Sequence, residues 1–155
     1  MEARDLRAGP PRRWSDALAG VRWLPRLVDK ARAALAGTLG TYLYGQSPMD
    51  RGLLRQLGLS HTDFARIVHR AADDDAVIAA IDARDPGALA RARAWSEREL
   101  PHRHKLFLWL MDFDDGYLGG PWAAFKGAGN AASNAFTFVV KRVFPSNAAE
   151  RAKAD

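Results

Sequence analysis

Between Leu24 and Gly37 apolar residues recur at helical spacing, and this stripe constrains the fold more than any other feature of the sequence. Leu24, Leu27, Val28, Ala31 and Leu35 fall on one side of a 3.6-residue helix. Arg26, Asp29, Lys30 and Arg32 fall on the remainder. Pro25 suits the first helical position, where a missing N–H costs nothing. Gly37 suits the left-handed position just past the end. A stripe of this kind makes the helix an edge of the core, with the downstream chain packed against it.

The rest of the chain reads as further short helices. Residues 1–13 are polar, end in Pro10-Pro11, and are expected to form a flexible basic arm. Ser15 caps a short helix that runs to about Ala19 and stops at Gly20. Thr41 to Tyr44 alternates β-branched and aromatic residues between Gly40 and Gly45, which suits an extended segment or a small strand with both tyrosines to one side. Ser47-Pro48-Met49-Asp50 opens a helix that ends at Gly58. Ser60 caps a helix to about Arg70, and Asp73 caps another over 74–83. Asp85-Pro86 starts a fourth, to about Leu100, where Pro101 marks a break. Leu106 to Phe113 is apolar nearly all round and reads as a buried helix. Phe136, Val139, Val140, Val143 and Phe144 have helical spacing, and Pro145 stops them.

The expected architecture is therefore all-α, one compact domain of about six or seven short helices over 14–145, with a frayed tail at 146–155. The alternative is α+β, with small strands near 41–44 and 137–140. At 155 residues one domain is the default, and it buries enough surface to need no covalent staple.

The run Pro25-Arg26-Leu27-Val28-Asp29-Lys30-Ala31-Arg32-Ala33, followed by Gly37, Gly40, Tyr42, Tyr44 and Pro48-Met49-Asp50, resembles a bacterial family known only as a domain of unknown function. The resemblance covers roughly residues 15–85. Members of that family often carry a cysteine just before a Pro-Leu-Asp-like triplet. Ser47 stands there in this chain, so thiol chemistry is not open to it. The resemblance implies no activity.

Most catalytic motifs are absent: there is no G-x-S-x-G, H-E-x-x-H or G-x-x-x-x-G-K-[ST]. The absence of cysteine excludes disulfides and thiolate metal sites. Asp112-Phe113-Asp114-Asp115 offers clustered carboxylates, but it fails the EF-hand pattern because Ala123 occupies the place of the terminal Glu. Acids at a helix C-terminus oppose the macrodipole, which draws attention to them. His102 and His104 share a face only on a strand, and His61 follows an N-cap. No metal and no cofactor is expected.

The signature helix is the stronger candidate. Arg26 and Lys30 lie one turn apart, an unfavourable pairing unless an anion sits across it. In one reading they hold an anionic ligand, Tyr42 or Tyr44 donates a hydrogen bond, and Asp29 or Asp50 acts as base. In the other, the same residues form a buried ion-pair network with Asp29 and Asp50. The expected function is accordingly the binding or conversion of a small anionic metabolite at this face. The alternative is a helical protein–protein interaction module, with Trp14, Trp23, Trp109 and Trp122 as contact residues.

The net charge of +5 is uneven, with +4 over residues 1–35, −1 over 36–100 and +2 over 101–155. Abundant arginine accompanies abundant alanine, as in a GC-rich genome, and the modest basic excess argues against nucleic acid as a partner. No signal-peptide pattern occurs at residues 2–13, and no apolar run is long enough for a membrane span. The expected location is the cytoplasm.

Overall fold

The computed structural model describes residues 3–119. Its elements are β1 (Ala17–Leu18), β2 (Val21–Arg22), α1 (Leu24–Ala36), α2 (Pro48–Leu57), α3 (His61–Arg70), α4 (Asp74–Arg84), α5 (Ala88–Arg103) and α6 (Lys105–Asp114). The described chain is thus mostly helical, as expected, with a minor two-stranded ladder. The expected elements at 136–144, the second candidate strand at 137–140 and the tail at 146–155 lie outside the described residues.

α1 is the most thoroughly buried of the described helices. Pro25 sits at its start and Gly37, at φ 74°, ends it. Leu24, Leu27, Val28 and Ala31 are fully buried, and Arg26, Asp29, Lys30 and Arg32 are buried with them. The helix therefore has no solvated charged face, and its charges must be answered inside the protein. α1 packs on α3, and α2 packs on α5. Gly52 permits the second contact: a Cβ there would lie 2.5 Å from Trp95 Cζ2. The capping residues act as their sequence predicts. Ser47, Ser60 and Asp73 accept hydrogen bonds from the backbone N–H groups of Asp50, Asp63 and Ala76.

Several local expectations differ from the structure. Residues 15–20 do not form a helix. Ala17 pairs with Arg22 and Leu18 with Val21, antiparallel. Ala19 (φ 50°) and Gly20 (φ 75°) form the turn, with the two positive φ values that a type I′ hairpin requires. The strain at Ala19 is offset by docking on α5: Arg93 Nη2 donates to Ala19 O at 2.8 Å and the Arg22 N–H donates to Ser96 Oγ at 3.1 Å. Pro101 does not end α5, which continues to Arg103 before α6 begins at Lys105. Residues 41–44 pair with no strand among the described residues. α6 is helical as expected but is not buried all round: Leu106, Phe107, Trp109 and Leu110 are 71%, 41%, 44% and 47% exposed.

Residues 3–13, expected as an arm, make specific contacts. Leu6 is buried and its N–H donates to Thr38 O at 3.0 Å. Arg12 and Arg13 reach carboxylates on α1, α4 and α6.

Candidate functional site

The buried charges of α1 organise the site. Lys30 Nζ donates to Asp50 Oδ1 at 2.6 Å and to Oδ2 at 2.7 Å, with side chains 4% and 0% exposed. Asp50 also accepts from Trp23 Nε1 at 2.9 Å and from the Gly45 N–H at 2.9 Å. Trp23 precedes α1 at φ 71°, a conformation that is rare for a bulky residue. From there its indole reaches the cluster, with Lys30 Nζ 5.4 Å from the ring centroid. Burial pushes the Lys30 ammonium below its ordinary pKa, against the opposing pull of Asp50.

Arg26 does not share Asp50. Its Nη1 donates to Asp115 Oδ2 at 2.7 Å and to Arg12 O at 3.2 Å. Its guanidinium carbon lies 5.5 Å from the Trp23 ring and 5.6 Å from the Tyr42 ring. Tyr42 donates to Asp115 Oδ1 at 2.8 Å. Burial, then the Asp115 charge, raises the Tyr42 phenol well above its usual value. Tyr44 turns elsewhere: it donates to His61 O at 2.6 Å, and burial raises its phenol too. The two tyrosines therefore do not act on one group.

Asp29 pairs with neither Lys30 nor Arg26. It accepts from the Arg12 N–H at 2.8 Å and from Arg12 Nη2 at 2.8 Å. Arg12 Nη1 continues to Asp74 Oδ2 at 2.6 Å, and Arg32 Nη1 reaches Asp74 Oδ1 at 2.7 Å. Asp112 accepts from Arg13 Nη2 at 2.6 Å and from Trp14 Nε1 at 3.0 Å.

The structure thus joins Lys30 to Asp50 and Arg26 to Tyr42, and holds Asp29 and Tyr44 apart from both pairs. Sequence reasoning did not assign Asp115, Asp112, Asp74, Arg12 or Trp23 to this network. The macrodipole mismatch at 112–115 was the available signal: Asp112 and Asp115 are placed to meet arginines, not to solvate a helix end. Asp112 and Asp115, the carboxylates a cation would need, are each engaged by an arginine.

Two open cavities lie apart from the Lys30–Asp50 pair, the first of them reaching the Arg13–Asp112 end of the network. One, of about 490 Å³, is lined by Arg13, Trp14, Pro101, His102, Lys105, Leu108, Trp109, Asp112 and Leu118. The other, of about 300 Å³, lies between α3 and α4. Among the described residues no helix is long and apolar enough to cross a membrane.

Residues 8–104 match the model of a protein family described as a domain of unknown function, DUF5069. No curated protein matches the chain in sequence.

Proposed function

The chain belongs to the DUF5069 family, and from that premise we propose that it binds a small molecule combining an anionic group with an apolar body, in the cavity beside α6. The carrying observation is that cavity's make-up. Its size, about 490 Å³, is that of an ordinary ligand site. Trp14, Pro101, Leu108, Trp109 and Leu118 give it apolar walls, Lys105 supplies positive charge and His102 lines it beside them. Arg13 is already engaged by Asp112, whereas Lys105 has no carboxylate partner among the described residues.

In this reading the signature face is the frame of the protein. Four hydrogen bonds fill the lone-pair sites of Asp50, and Arg12 occupies both oxygens of Asp29, so neither is disposed to act as a base. Arg26 and Lys30 each already hold a carboxylate of the same chain, which serves in place of a ligand. The function is binding and requires neither metal nor cofactor. The resemblance and the cysteine-free sequence suit a bacterial cytoplasmic protein.

The test is a titration of the full chain with decanoate and with decanol, read by displacement of 8-anilinonaphthalene-1-sulfonate. Decanoate should bind about tenfold more tightly, as a charge-assisted contact predicts. Lys105→Met should remove that preference, and Trp109→Ala should weaken both ligands. Equal binding of acid and alcohol to the wild type would overturn the proposal.

One observation favours a second reading, an interaction module without catalysis: the exposed Leu106, Phe107, Trp109 and Leu110 on α6. In that case Leu110→Glu would abolish association with a partner while leaving decanoate binding unchanged.

A further inference from the structure

The second cavity has a different chemistry. It is lined by Asp63, Arg66, Ile67 and Arg70 of α3, by Ala71 just beyond, and by Ala76, Ala80 and Arg84 of α4. Arg66 and Arg70 stand one turn apart on α3, an arrangement of like charges that is unfavourable in isolation. Ala76 and Ala80 stand one turn apart on α4, and their small side chains leave the space between the helices open. Arg84, a further turn along, closes one end of the same row.

Three arginines therefore line a cleft of about 300 Å³ whose lining includes a single acid. That acid is already engaged: Asp63 accepts from Ser60 Oγ at 2.7 Å and from Arg66 Nη1 at 3.0 Å. The Ser60 hydroxyl foremost, and the nearby Arg84 and Arg66 charges, hold the Asp63 carboxyl below its ordinary pKa, so it stays ionised and committed at neutral pH. Arg70 and Arg84 have no carboxylate partner among the described residues. Arg70 and Arg84 each carry a planar fork suited to phosphate oxygens, with Arg84 in the field of Asp63. Beside them Ile67, Ala71, Ala76 and Ala80 supply an apolar floor.

We propose that the α3–α4 cleft binds a small phosphate monoester, with Arg70 and Arg84 on the phosphate, Arg66 supporting them, and the alanine and isoleucine floor against the ester's uncharged part. The charge balance selects the dianion. The floor favours an ester over free phosphate, and the cleft's size limits the occupant to a small molecule. This site is independent of the cavity beside α6.

The experiment is calorimetric titration of the full chain at low ionic strength with phenyl phosphate, inorganic phosphate and a twenty-nucleotide single-stranded RNA. Phenyl phosphate should bind at least threefold more tightly than inorganic phosphate. The Arg70→Gln/Arg84→Gln variant should weaken it about tenfold or more, in line with the loss of charge-assisted hydrogen bonds. Arg98→Gln on α5, away from the cleft, should leave it unchanged, and unchanged melting curves should show that all variants are folded. Absence of binding at millimolar phenyl phosphate, or equal affinity in the double variant, would overturn the proposal. So would RNA binding that phenyl phosphate cannot displace, which would mark the cleft as a nucleic-acid contact.

Discussion

Lys30 shows how a buried charge is tolerated at the scale of one residue. An ammonium this deep is costly unless it is paired and hydrogen-bonded. Asp50 supplies two contacts, the Trp23 ring lies alongside, and the Asp50 oxygens are completed by the indole N–H and a backbone N–H. Replacing Lys30 by Met keeps the stem but strands the carboxylate. We expect Lys30→Met to cost about 3–5 kcal/mol in denaturant unfolding at pH 7. Asp50→Asn should also destabilise, and the double variant should show strong coupling in a thermodynamic cycle. A loss below about 0.5 kcal/mol, the range of an ordinary surface change, would contradict this account of the pair. The Lys30–Asp50 pair was open to sequence reasoning because twenty residues and one capped helix separate its members. The Arg26–Asp115 pair was not: its members lie 89 residues apart, and nothing in the sequence sets the register of α6 on α1.

Local chemistry made the starts of α2, α3 and α4 legible, since a capping side chain and the N–H it satisfies are three residues apart. The hairpin at 17–22 was concealed by the same vocabulary. Ser15 to Gly20 has a cap and a glycine stop, but docking on α5 rewards a turn at Ala19-Gly20 over a single helical turn. Asp74 shows how elements are joined through one side chain. It lies at the start of α4 and takes Arg32 from α1 and Arg12 from the N-terminal segment. Burial acts to raise its pKa, but the two guanidinium groups outweigh it and leave the carboxyl below the ordinary value of 3.8. In acid the unfolded chain therefore binds more protons than the folded one. The stabilisation is fully present above the unfolded pKa and is lost as pH falls through the folded one. Urea midpoints measured downward from about pH 5 should fall steeply below about pH 4. Asp74→Asn should lower the midpoint at pH 7 and flatten that slope, with Asp5, Asp63 and Asp85 among the carboxylates that still contribute. An unchanged slope in Asp74→Asn would show that the joint contributes nothing to acid stability.

Across the whole molecule, the N-terminal segment links elements that are far apart in the chain. Composition alone marked residues 1–13 as an arm, because arginines and prolines without an apolar run carry no sign of what they will meet. In the structure Leu6 is buried and Arg12 bonds to Asp29 and Asp74. Arg13 bonds to Asp112, and Tyr117 donates to Pro11 O at 2.8 Å. α1, α4 and the end of α6 are thereby held to one strand of chain. Deleting residues 1–13 would remove the Arg12 and Arg13 guanidinium groups and leave Asp29, Asp74 and Asp112 short of partners. Breaking one buried pair costs about 3–5 kcal/mol, and partly exposed pairs cost less. The truncated protein should therefore lose several kcal/mol, and its melting temperature should fall by more than about 10 °C. Arg12→Gln in the full chain should reproduce a large part of that loss, whereas Arg7→Gln should not, since among the described residues Arg7 pairs only with the exposed Asp5. A truncated chain that melts with the wild type would return the segment to the role of a passive arm, and the network would then have to be stable without Arg12.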